Sequence, residues 1–169
     1  IEVNSGALGH GLSVGIGMAL AATMDSCGYR TYVLMGDGEQ GEGSIYEAAM
    51  AANQYHLDNL VAIIDRNHLQ ISGDTEAVMA IENIRNKWSA FGWDVIEMNG
   101  DDVEDIVNTF HSIDYTNHKP HLLISHSTKG LGVSFMEGVA EWHHGVPSEE
   151  QYHQAIIDIE ARISKLEEE

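Results

Sequence analysis

The feature that most restricts the fold of this chain is an alternation of short β-branched apolar runs with segments of helical periodicity. Thr31–Met35, Leu60–Asp65, Asp94–Met98 and Leu122–Ser125 read as strands. Leu12–Met24 is apolar on nearly all sides, which in a helix means burial on more than one face. Ser44 and Glu47 have capping-box spacing and open a helix to about Tyr55, with Ala48, Ala49 and Ala52 as its small-residue face. Ile81, Ile84, Trp88 and Phe91 recur at helical spacing, as do Val103, Ile106, Val107 and Phe110. A second capping box, Ser148 with Gln151, starts a helix whose stripe of Tyr152, Ile156, Ile159, Ile163 and Leu166 is expected to dock by one face before the acidic end Glu167–Glu169. The alternation predicts βαβ units, and so an α/β fold with a parallel sheet and helices on both faces. No repeat or linker interrupts it, so residues 1–169 are expected to form a single module. The start at Ile1 rather than Met gives the further expectation of a fragment lacking N-terminal residues.

Charge narrows the range of partners. Eight Lys and Arg against 27 Asp and Glu leave a formal net charge of −19, and no basic cluster stands anywhere in the chain. A nucleic-acid backbone or an anionic membrane surface needs a basic footprint, so neither is expected as a partner. The apolar stretch Leu12–Ala22 is broken by Gly15 and Gly17 and falls short of the roughly 20 residues a membrane-spanning helix needs. A single cysteine, Cys27, excludes an internal disulfide framework and a multi-Cys zinc site, and fits a reducing, cytoplasmic compartment. Of the ten histidines, none forms an HxH or HExxH pattern, and His56, His111, His118, His121, His126 and His153 read as surface or satisfied residues.

The chemistry concentrates where the first strand ends. Gly36-Asp37-Gly38 is followed by Glu39-Gln40-Gly41-Glu42-Gly43 and then by a helix start, so glycine-permitted close approach and helix N–H groups form a plausible anion cradle. Ligands of parallel α/β sheets bind beyond the carboxyl ends of the strands. The second strand ends in Asp65-Arg66-Asn67-His68-Leu69-Gln70, which brings Asn67 to the same edge. A carboxylate, an amide oxygen and a loop carbonyl are hard donors that suit Mg²⁺ or Ca²⁺, with phosphate oxygens completing the shell. Gly9, Gly11, Gly15 and Gly17 lack the spacing of a dinucleotide fingerprint and read as sites of close helix packing. Lys129–Pro147 reads as a long loop of functional character.

Gly36-Asp37-Gly38, 28 intervening residues and Asn67 resemble the thiamine-diphosphate motif, which begins GDG and ends in Asn. Five ordered segments bring the chain closer to the transketolase family: Ser5–Leu12 (SGALGHGL), MGDGEQGEGSIYEAA, DRNHLQISG, Ser127-Thr128-Lys129-Gly130 and Trp142-His143-His144-Gly145. The resemblance implies a diphosphate-binding module that holds thiamine diphosphate and Mg²⁺ (or Ca²⁺) and takes part in two-carbon ketol transfer between sugar phosphates. By that likeness Asp37, the Asn67 side chain and the Leu69 carbonyl ligate the ion. Gly38 turns its backbone N–H to the diphosphate, with Gly36 and Glu39 beside it in the cofactor loop. Gly6 and Leu8 run beside the aminopyrimidine, Glu42 sits at a subunit interface linking paired active sites, and either His143 or His144 reaches the substrate. His10 stands where many relatives have Gln, and Arg66 where others have Asn or Asp. The activating glutamate of the family belongs to a pyrimidine-binding module absent from these residues, which implies a C-terminal partner subunit and a dimer of such units. Two rivals remain at this point: another thiamine-diphosphate enzyme, such as deoxyxylulose-phosphate synthase or a 2-oxoacid dehydrogenase component, and a non-catalytic cofactor-binding scaffold.

Overall fold

The computed structural model describes residues 1–167. The expected acidic end Glu167–Glu169 therefore lies partly outside the described residues. Helix α1 (Gly11–Met24) leads into β1 (Thr31–Gly36), a 3₁₀ turn over Gly38–Gly41, α2 (Gly43–Gln54) and β2 (Leu60–Arg66). A small hairpin of β3 (Leu69–Gln70) and β4 (Gly73–Asp74) runs into the one-turn α3 (Thr75–Val78) and then α4 (Ile84–Ala90). β5 (Asp94–Asn99), α5 (Val103–Ser112), β6 (His121–His126), a 3₁₀ turn over Ala140–His143 and α6 (Glu149–Glu167) complete the order. The four main strands pair in parallel in the order β1-β2-β6-β5, as the alternation predicts.

Residue alternation along β2 explains the layering. Leu60, Ala62 and Ile64 enter the larger core with Leu12, Ile16, Ile45, Ala49, Trp88 and Trp93, whereas Val61 and Ile63 join the smaller one with Met98, Ile113 and Leu123. Both faces of the strand are thus covered, which is why it reads as a continuous apolar run. On the first face α1 packs closely on β1, and a Cβ on Gly15 would overlap Val33 Cγ2. Gly17, by contrast, faces open space, so close packing holds at Gly15 and not along the whole glycine series. The Trp93 indole donates to the Ala49 carbonyl at 2.9 Å and meets Trp88 edge-on at 4.7 Å, locking α4 and α2 together.

Three expectations about local structure are corrected. Ser44 does not cap α2: the helix starts two residues earlier with Glu42 at its N-cap, and the Ser44 hydroxyl donates to the Gly9 carbonyl at 2.9 Å. The Ser148–Gln151 box does form, with the Ser148 N–H on Gln151 Oε1 at 2.9 Å and the Gln151 N–H on Ser148 Oγ at 3.3 Å. The helix it opens does not dock, however, because none of its described residues is buried and Tyr152, Ile156, Ile159, Ile163 and Leu166 are exposed. Its tether is polar: the Ser134 N–H and hydroxyl both donate to Asp158 Oδ2, at 2.8 and 2.6 Å. Those bonds and one from Gln154 hold the Asp158 carboxyl below the usual range.

The third correction concerns His121, which opens β6. Its ring is fully buried, and neither nitrogen has a hydrogen-bond partner among the described residues, the nearest acid being Asp94 Oδ2 at 3.5 Å from Nδ1. Burial pushes its pKa below the ordinary 6.5, against the opposing pull of Asp94. The unfolded chain therefore binds a proton at this residue before the folded chain does, and folding stability falls as pH drops through about 6.5. Denaturation of the wild type and His121→Gln, compared from about pH 8 to pH 5, is expected to show the wild type losing stability relative to the variant on the acid side. A stability difference independent of pH contradicts this assignment.

Candidate cofactor and metal site

The site is built at the carboxyl ends of β1 and β2, which are neighbours in register, Gly36 opposite Asp65. Asp37 follows β1 directly and caps the Gly38–Gly41 turn, its Oδ1 accepting the Gly38 N–H at 2.7 Å. It is almost fully buried at 2% exposure, and its Oδ2 accepts from Arg66 Nη1 at 3.1 Å and from the His68 N–H at 2.7 Å. His68 reaches that position with φ +66°, the left-handed conformation in which the chain turns its N–H back toward β1.

Arg66 ends β2 on the inward side, in the alternation of Ile64, and is buried at 1%. A guanidinium there needs partners, and it finds Asp37, Thr75, Glu76 and Glu82. Glu82 is consequently shifted downward: partial burial raises its pKa, but the Ile84 N–H and Arg66 outweigh that and hold the carboxyl below the usual range. The β3–β4 hairpin serves this network by bringing Thr75 back, its N–H on the His68 carbonyl at 3.0 Å.

Asn67 points away from Arg66, its Oδ1 accepting the Leu69 N–H at 3.0 Å and its Nδ2 donating to Asp65 Oδ2 at 2.9 Å. Asp65 is held in turn by the Ser127 hydroxyl from the end of β6. Gly38 is required by space, since a Cβ on it would come within 2.8 Å of Gln70 Cβ. Its N–H donates to Asp37 Oδ1, so the residue both admits close approach and fixes the carboxylate.

Glu39 is no solvated loop acid. It is 7% exposed, and its two oxygens accept the N–H groups of Gly9 at 2.8 Å and Gly36 at 3.2 Å. That clasp lays the Ser5–His10 segment across the end of β1, with Gly9 at φ +74° where a Cβ would strike Glu42 and Ser44. Gly6, Gly36, Glu39 and Asp65 then line one groove of about 1150 Å³. Leu8 and Glu42 are exposed at this end of the molecule. The 3₁₀ turn carrying His143 packs against β3, and the His143 and His144 rings meet edge-on at 5.0 Å. Partial burial, the Lys129 charge and His144 lower the pKa of His143, leaving its imidazole neutral at neutral pH.

Among the described residues no group of three or more His, Cys, Asp or Glu side chains is placed to hold a metal ion. An ion at Asp37 would therefore draw on amide, carbonyl and cofactor oxygens, a donor set suited to a hard cation. The local charge fits this: one guanidinium faces three carboxylates, those of Asp37, Glu76 and Glu82.

The family described as the transketolase thiamine diphosphate binding domain matches residues 1–157. The chain belongs to this transketolase family. It is 74% identical over its whole length to an apulose-4-phosphate transketolase subunit of Phocaeicola vulgatus, of which it covers 60%. It is 38% identical over 160 residues to the 6-deoxy-6-sulfo-D-fructose transketolase subunit SqwG of a Clostridium species, covering 95% of this chain and 58% of that protein. The crystal structure of a transketolase from Campylobacter jejuni superposes on 94% of the chain with a TM-score of 0.84 and 32% identity, the match spanning 26% of that chain. The chain thus spans about 60% of the length of each of these two transketolase subunits. No helix among the described residues is long and apolar enough to cross a membrane.

Of the residues the sequence nominates, Asp37, Gly38, Asn67 and Leu69 converge, and Gly6, Gly36 and Glu39 border the adjoining groove. The Arg66 network escaped sequence reasoning, although an Arg at an inward strand position followed by Glu76 and Glu82 signals a paired buried charge. Glu39→Gln is expected to destabilise the fold by about 1–3 kcal/mol in urea, because one amide oxygen cannot accept both N–H groups. Faster amide exchange at Gly9 and Gly36 should accompany it, and unchanged exchange there contradicts the clasp.

Proposed function

We propose that this chain is the diphosphate-binding subunit of a split transketolase, holding thiamine diphosphate and a divalent ion for two-carbon ketol transfer between sugar phosphates. The observation that carries the reading is the meeting of Asp37 with the Asn67–Leu69 turn across neighbouring strand ends, tied by the His68 N–H at 2.7 Å. Asp37, the Asn67 amide oxygen and the Leu69 carbonyl would hold the ion, Mg²⁺ being the favoured one. Gly36, Gly38 and Glu39 shape the floor on which the diphosphate lies, and Gly6 and Leu8 flank the pyrimidine. The cofactor, when bound, supplies the stabilisation of a carbanion equivalent. The protein's part is to bind, orient and move protons. His143, neutral at neutral pH, or its neighbour His144 is in this reading the group that accepts or donates a proton at the substrate.

Relatives named as single subunits of a transketolase support a partner. The partner in this reading is a C-terminal subunit carrying the pyrimidine-binding module, with Glu42 at the interface and a dimer of such pairs as the working unit. The 74% identity to an apulose-4-phosphate transketolase subunit favours apulose 4-phosphate as the ketose phosphate. The lone Cys27 and the proposed phosphorylated substrates support a cytoplasmic setting.

The reconstituted two-subunit complex, given thiamine diphosphate and Mg²⁺, is expected to transfer a two-carbon unit from a ketose phosphate to an aldose phosphate. Asp37→Ala in the same complex should reduce transfer to background. Turnover only with pyruvate plus an aldose phosphate contradicts the transketolase assignment, and a stable cofactor-loaded complex without transfer points instead to a scaffold.

A further inference from the structure

The chain ahead of α1 is hydrogen-bonded to the turn and helix that follow β1 through a single residue. Gly9 is the only buried residue among residues 1–10. Ser5–Leu8 hydrogen-bond only to one another among the described residues, the Leu8 N–H and the Ser5 hydroxyl meeting the Gly6 carbonyl at 3.0 and 3.1 Å. Gly9 is held on both sides: its N–H donates to Glu39 Oε1 at 2.8 Å, and its carbonyl accepts the Ser44 hydroxyl at 2.9 Å. With φ at +74°, and with Glu42 and Ser44 within 2.7 Å of where a Cβ would stand, only glycine fits between them.

Glu39 joins this peptide to the other end of the site. Its second oxygen accepts the Gly36 N–H at 3.2 Å, so one carboxylate spans the segment carrying Gly6 and Leu8 and the floor formed by Gly36 and Gly38. Each oxygen is taken by one N–H and the side chain is buried, so Glu39 acts through the backbone it holds. The two ends depend on it unequally. Without Glu39 the floor keeps the pairing of Gly36 with Asp65 and the bonds of Asp37 to the Gly38 N–H, Arg66 and the His68 N–H. Gly9 keeps only Ser44.

We propose that Glu39 is a positioning residue that fixes the wall formed by Gly6 and Leu8 relative to the diphosphate floor, and so governs capture of the pyrimidine half of thiamine diphosphate but not of its diphosphate half. This inference rests on the proposed function in placing the pyrimidine beside Gly6 and Leu8. A carboxylate suits the task, because hydrogen bonds from N–H groups to an ionised oxygen are stronger than neutral ones. A glutamine offers one accepting oxygen and turns an NH₂ group against the other N–H. Once the clasp is lost, Ser5–Leu8 must be ordered during binding, and that cost falls on a ligand that reaches the wall.

The test is calorimetric titration of thiamine diphosphate and of inorganic pyrophosphate, separately, into the two-subunit complex in Mg²⁺, for the wild type, Glu39→Gln and Ser44→Ala. Pyrophosphate occupies the floor alone, so the ratio of the two affinities isolates the wall. In Glu39→Gln the affinity for thiamine diphosphate is expected to fall about tenfold, the scale of one lost hydrogen bond to a charged group, with that for pyrophosphate unchanged. A purely structural role weakens both ligands together, so an unchanged ratio overturns the inference, as does a wild type that binds both ligands alike. Should Glu39→Gln fail to fold, Ser44→Ala decides the question, since it removes only the hydroxyl that holds the Gly9 carbonyl. A fall in the same ratio is expected there, and an unchanged ratio overturns the inference. A folded wild-type complex that binds neither ligand would overturn the functional reading and this inference with it, an outcome distinct from an unchanged ratio.

Discussion

The buried pair between Asp37 and Arg66 is the contact on which the site depends. It joins the ends of two adjacent parallel strands, both partners are at most 2% exposed, and the charge of each is tolerable only because of the other and the surrounding N–H groups. A buried ion pair contributes little net stability compared with apolar packing. Its service here is orientation: the Gly38 and His68 N–H groups converge on the same carboxylate, so the turn after β1 and the turn after β2 are fixed relative to each other. The β3–β4 hairpin and α3 exist in this geometry as the path that returns Thr75 and Glu76 to the guanidinium.

Around that pair the chain uses carboxylates in two different ways. Glu39 binds backbone N–H groups and holds the N-terminal segment over the groove, while Asp65 anchors Asn67 and Ser127 across the ends of β2 and β6. In a chain of net charge −19, a phosphate ligand meets an unfavourable field unless a cation intervenes. This charge balance supports the divalent ion proposed for the site.

The strands were legible because residues buried on both faces of a parallel sheet leave unbroken apolar runs, as in Leu60–Asp65 and Leu122–Ser125. The position of the candidate site was legible for a related reason: Asp37 and Asn67 follow the ends of two strands. What escaped was decided by contacts distant in sequence. Ser44 has the pattern of a cap, yet its hydroxyl serves the Gly9 carbonyl 35 residues earlier. Glu39 resembles any loop acid until Gly9 and Gly36 close on it. The apolar stripe of α6 predicts docking, but no surface of the described residues covers it. His121 gave no signal in its neighbours, since its burial comes from the sheet closing at β6.

If the Asp37–Asn67 edge forms an ion-dependent thiamine diphosphate site completed by a second subunit, cofactor binding must respond both to the ion and to the partner. Calorimetric titration of thiamine diphosphate into this chain, alone and with its candidate partner, in Mg²⁺ and in EDTA, tests this most directly. The expected result is saturable binding that appears or tightens sharply with the partner and is lost in EDTA. Binding of equal strength in EDTA, or none to a folded complex in Mg²⁺, would contradict it.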